Sequence, residues 1–74
     1  MAYAWTSPIG TFTIRPHTTK PGWWRLWIND IPVAPYKTAA MAADDVLNQA
    51  TGFTEFDMLD NVQPPAGLLD WIAD

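Results

Sequence analysis

Gly22-Trp23-Trp24-Arg25-Leu26-Trp27-Ile28-Asn29-Asp30-Ile31-Pro32-Val33-Ala34-Pro35-Tyr36 is the stretch whose reading decides the fold. Alternation along Trp23 to Ile28 sends Trp24, Leu26 and Ile28 to one side of a strand, and Trp23, Arg25 and Trp27 to the other. Asn29 and Asp30 tolerate positive φ and close that strand with a tight turn into a second one over 31–36. A two-residue turn sets the pairing: Ile28 opposite Ile31, Leu26 opposite Val33 and Trp24 opposite Pro35 on an apolar inner face. The outer face then pairs Trp27 with Pro32, Arg25 with Ala34 and Trp23 with Tyr36. Pro32 and Pro35 each remove a backbone donor, on different sides of the second strand, which assigns it to a sheet edge.

Upstream, Thr11-Phe-Thr-Ile-Arg-Pro16 alternates strictly, with Phe12 and Ile14 on the inner face, and reads as a third strand joined through a loop at 17–21. Downstream, Thr38 is an N-cap for a helix running to about Ala50, with Gly52 as its stop. Ala39, Ala42, Ala43, Val46, Leu47 and Ala50 share one arc of that helix, while Asp44, Asp45, Asn48, Gln49 and Met41 share the opposite one. After Gly52, Phe53, Phe56, Leu68 and Trp71 are too apolar for a flexible tail. Leu68, Trp71 and Ile72 have the spacing of a short helical turn. The expectation is an α+β fold: a three-stranded antiparallel meander packed on one main helix, with a short C-terminal helical turn.

With 74 residues and 49% hydrophobic content, the chain reads as one small domain over 1–74. A chain of this size buries about 60% of its unfolded surface. It has no cysteine to form disulfides or thiolate metal sites. The N-terminal residues lack the pattern of a secretory signal, and no stretch approaches the roughly 20 apolar residues of a membrane span. A cytoplasmic protein is expected, with no membrane partner. All four cations (Arg15, Lys20, Arg25, Lys37) precede residue 38, and seven of the eight acids (Asp44, Asp45, Glu55, Asp57, Asp60, Asp70, Asp74) follow it.

No catalytic pattern emerges. His17 stands in a loop without a nucleophile or carboxylate at a spacing that would make it a base. Asp57, Asp60 and Asn61 carry oxygen ligands but not the alternation and central glycine of a calcium loop. Asp44 and Asp45 diverge on the helix surface. The glycines at 10, 22, 52 and 67 stand singly, so no phosphate-binding loop is present. The chain is therefore expected to be no enzyme and to use no cofactor or metal.

The remaining candidate site is the outer sheet face. Trp23, Arg25, Trp27, Pro32 and Tyr36 converge there under the predicted register, as a contact surface for a protein partner or a second copy. Two alternatives remain: nucleic-acid contact through Arg15, Trp23, Arg25, Trp27 and Lys37, and a nucleic-acid-mimicking inhibitor presenting Asp44, Asp45, Glu55, Asp57 and Asp60. A net charge of −4 yields little counterion release around phosphates, which places a protein partner first. Tyr3, Trp5 and Trp71 from the chain ends could instead cover this face and turn it into a second core.

Residues 22–46, with a Trp-containing strand, a turn, Val33-Ala-Pro-Tyr-Lys-Thr38 and Ala39-Ala-Met-Ala-Ala-Asp-Asp-Val46, resemble the core of the plant ethylene-response-factor DNA-binding domain. There, a three-stranded sheet on one helix reads the major groove with Arg and Trp. The resemblance implies such roles for Arg15, Trp23, Arg25 and Trp27. The wider pattern of Phe-Thr-Ile-Arg-Pro, Trp-Arg-Leu-Trp, Ala-Ala-Asp-Asp-Val, Thr-Gly and Leu-Leu-Asp-Trp is similar to a group of short uncharacterised bacterial and phage-type proteins. That similarity implies no activity.

Overall fold

The computed structural model describes residues 1–74 and is an α+β fold, an antiparallel sheet covered on one side by one main helix. The strands are β1 (Tyr3–Ser7), β2 (Gly10–Pro16), β3 (Trp24–Ile28), β4 (Ile31–Tyr36) and β5 (Ile72–Ala73), in the spatial order β4-β3-β2-β1-β5. The sheet thus has five strands where three were expected. The chain ends supply the extra two, with Tyr3 opposite Ala73 and Ala4 opposite Ile72.

The turn at Asn29 is as the sequence predicts, with Ile28 opposite Ile31 and Trp27 opposite Pro32. Asn29 adopts φ 50°. Its amide donates to the Thr11 carbonyl at 2.8 Å, and its side-chain oxygen accepts from the Thr11 amide at 3.1 Å. This ties the β3–β4 turn to the start of β2. Gly10, at φ 147°, leaves room for that side chain; a Cβ there would lie 2.6 Å from the Asn29 side-chain Nδ2.

Beyond Trp27 the predicted register fails. A bulge between Leu26 and Trp27 shifts the pairing, so that Leu26 faces Ala34, Arg25 faces Pro35 and Trp24 faces Tyr36. One extra residue in β4 reverses the sides of everything after it. Tyr36 therefore joins the core, 9% exposed, and its hydroxyl donates to Asp45 at 2.8 Å. Burial and that carboxylate push the Tyr36 hydroxyl well above the ordinary phenol value. β4 is an edge strand, as its two prolines require.

The inner face of the sheet is built from cross-strand rows: Trp5, Phe12, Ile28 and Ile31 in one, Tyr3, Ile14, Leu26 and Ala34 in the next. Phe12, Ile14 and Leu26 are fully buried. The main helix α1 (Ala39–Leu47) lies over them, capped by Thr38, whose hydroxyl accepts from the Met41 amide at 3.1 Å. Its buried residues are Ala39, Ala42, Ala43 and Val46. Leu47 and Ala50, expected on that arc, are exposed: Leu47 is the last helical residue, and Ala50 lies beyond the helix, which ends at Leu47 rather than near Ala50, with Gln49 at φ 51°.

The segment after α1 folds back onto the same side. A one-turn helix, α2 (Thr54–Asp57), places Phe56 fully inside, edge-on to Phe12 with ring centres 4.7 Å apart. Trp5 stacks on Phe12 and meets Trp71, with centroids 6.1 and 6.2 Å away. Leu68–Asp70 form the C-terminal helical turn, of 3-10 type. The Asp57 carboxylate closes the loop, accepting from the Thr51 amide (3.0 Å), the Thr51 hydroxyl (2.8 Å) and the Gly52 amide (2.8 Å). No helix is long and apolar enough to cross a membrane.

Candidate functional site

Because Trp5, Trp71 and the C-terminal turn pack on the helix side, the outer side of the sheet is left open. Its rows are Ala4, Thr13, Trp27 and Pro32 in one, and Arg15, Arg25 and Pro35 in the next. The ladder continues one step past β3, where the His17 amide donates to the Trp23 carbonyl at 2.9 Å. Alternation then places His17 with Arg15, and Trp23 with Arg25 and Trp27.

Trp27 is half-buried, with the Arg15 guanidinium carbon 4.4 Å and the Arg25 carbon 5.7 Å from its ring centre. Trp23 likewise has the Lys20 ammonium 3.7 Å and the Lys37 ammonium 5.9 Å from its ring centre. Each indole thus carries two cations of the four in the chain. Such stacking holds long, mobile side chains in place. Arg15 and Arg25 stand directly opposite each other across β2 and β3.

His17 links the two clusters. Its Nδ1 accepts from the amides of Thr19 (3.2 Å) and Lys20 (3.1 Å), while the Arg25 guanidinium lies 2.8 Å from its Nε2. Partial burial in the turn, then the charges of Arg25 and Lys20, hold the imidazole below its ordinary pKa. A neutral ring has one N–H, so Nδ1 and Nε2 do not both accept, and the tautomer decides whether the Arg25 guanidinium donates to Nε2. Arg25 has no carboxylate partner within the protein; its 2.8 Å approach to His17 is the one side-chain polar contact of any cation.

Of the five residues expected to form the contact face, Trp23, Arg25, Trp27 and Pro32 lie together on it, and Tyr36 does not, because the bulge turns it into the core. Arg15 and Lys37 join them. Sequence reasoning missed Lys20, His17 and Pro35. A signal for Lys20 was present: Lys20-Pro21-Gly22-Trp23 is a β-turn with Gly22 at φ 80° and the Trp23 amide donating to the Lys20 carbonyl at 3.0 Å. Proline followed by glycine at the two central positions predicts that turn, and it brings Lys20 back over Trp23. Among the acids of the mimicry alternative, Asp45 and Asp57 are engaged inside the fold, by Tyr36 and by Thr51 with Gly52. No protein-family model, curated protein or solved structure matches the chain.

Proposed function

We propose that the protein is a non-catalytic interaction module that docks a protein partner on the outer face of its sheet, as a regulator or inhibitor of that partner. The observation that carries this reading is Trp27, an indole in the middle of an uncovered sheet face, with the Arg15 and Arg25 guanidinium carbons 4.4 and 5.7 Å from its ring centre. Trp and Arg dominate the energetics of protein interfaces, and rigid aromatic anchors lose little entropy on binding. Pro32 and Pro35 extend the same surface without offering edge donors for strand addition. The test is the pair Trp23→Ala with Trp27→Ala in immobilised protein, compared with wild type for retention of a partner from cell extract. The double variant should keep its cooperative thermal transition and lose retention; an unfolded double variant would sink the reading, since both rings would then be structural.

A second reading, nucleic-acid binding, is favoured by the gathering of all four cations around the two indoles. Titration of intrinsic fluorescence with oligonucleotides at low salt decides it. Saturable quenching supports it, and none at high micromolar concentration ends it.

A further inference from the structure

We infer that the occupant of the outer sheet face is an acidic protein segment, whose carboxylates seat between Arg15 and Arg25; this rests on reading that face as a docking surface. The central observation is an electrostatic conflict built into the free protein. Like charges directly opposite on neighbouring strands are destabilising, yet Arg15 and Arg25 are paired in register, with His17 against the Arg25 guanidinium. No carboxylate of the chain relieves this, although eight are available. Acids that the fold does employ accept instead from Tyr36, Thr51 and Gly52. A partner carboxylate placed between the two guanidinium groups would accept from both and remove the repulsion.

The geometry also separates a protein segment from a nucleic acid. Sequence-tolerant binding of single strands depends on bases stacking on free aromatic faces. Here each indole already has one cation close over it, Lys20 at 3.7 Å on Trp23 and Arg15 at 4.4 Å on Trp27. What the rings present outward is a set of positioned N–H donors, which match carboxylates one by one. A long polyanion would also run beyond the patch into a molecule of net charge −4, whereas a short acidic segment would not.

The intact protein titrated with a ten-residue oligoglutamate peptide tests this, followed by the NMR signals of the arginine Nε–H and tryptophan Nε1–H groups and by Trp fluorescence. Saturable shifts at Arg15, Arg25 and Trp27 are expected, weakening as salt is raised. Arg25→Gln, and separately Arg15→Gln, should weaken binding at least about tenfold while leaving the thermal midpoint unchanged or higher. A merely structural arginine would lower that midpoint. The inference is overturned by absence of a saturable shift, by wild-type affinity in both glutamine variants, or by tighter binding of an oligothymidylate of equal charge. It is equally overturned by a self-associated species in sedimentation that Arg25→Gln dissolves, since the occupant would then be a second copy. Should oligoglutamate fail while the Trp23/Trp27 double variant still loses its partner, the docking face stands and only its acidic occupant is removed.

Discussion

Asp57 shows how a single carboxylate can carry a segment. Three donors from Thr51 and Gly52 converge on it, and Thr51 is itself buried. Removing the acceptor strands the two part-buried Thr51 donors, whereas the exposed Gly52 amide turns to water, and each buried unsatisfied group costs about 1–3 kcal/mol. Asp57→Ala should therefore lower the unfolding free energy by about 2–4 kcal/mol, a large share of what so small a chain possesses. Denaturant titration measures it, with Asp57→Asn retaining part of the loss because one oxygen remains. A change below the error of the titration would show that the loop is held by Phe56 alone. In the sequence, Asp57 stands in an aromatic and acidic stretch with no period. Nothing local distinguishes a carboxylate that folds back six residues onto Thr51 from one that is solvated.

The sheet and α1 are matched through small residues. Ala42 and Ala43 are buried beneath the helix, against side chains from β2 and β3 that are themselves fully enclosed. Ala42→Leu would push the helix off that surface and should destabilise by about 1–3 kcal/mol, read as a lowered thermal midpoint with helical circular dichroism retained below it. The alanine arc, the Thr38 cap, the alternation of β2 and β3 and the edge position of β4 were all legible, since each is written in local spacing or in a residue with one strong preference. Tyr3-Ala-Trp-Thr-Ser7 also alternates, with Tyr3 and Trp5 on the inner face, so β1 was legible in principle. β5 was not, because two residues next to a helical turn carry no period. Nor was the β4 bulge. The Asn29 turn dictates pairing only for the residues beside it, and the slip further on is settled by where the Tyr36 ring and hydroxyl find partners. That one residue is why Trp27 lies on the outer side of the sheet as expected and Tyr36 lies in the core instead.

Across the whole molecule, apolar and charged residues are sorted by side: aromatics from both chain ends meet under α1, and the cations collect on the opposite surface. The placement of those cations has a consequence for proteolysis. Trypsin cuts after lysine and arginine but not before proline, and Arg15-Pro16 and Lys20-Pro21 are both protected in this way. Arg25 lies inside the sheet, hydrogen-bonded between two strands, and its bond opens only when the sheet does. Lys37-Thr38 is exposed and lies between β4 and α1. Limited digestion should yield fragments 1–37 and 38–74 first, identified by mass, and a ligand seated over Trp23 should slow that cut. Early cleavage after Arg25 would instead mean that β3 breathes independently of the core. Four basic residues thus leave one bond open to the protease in the native state, and it is the joint between the sheet and the helix.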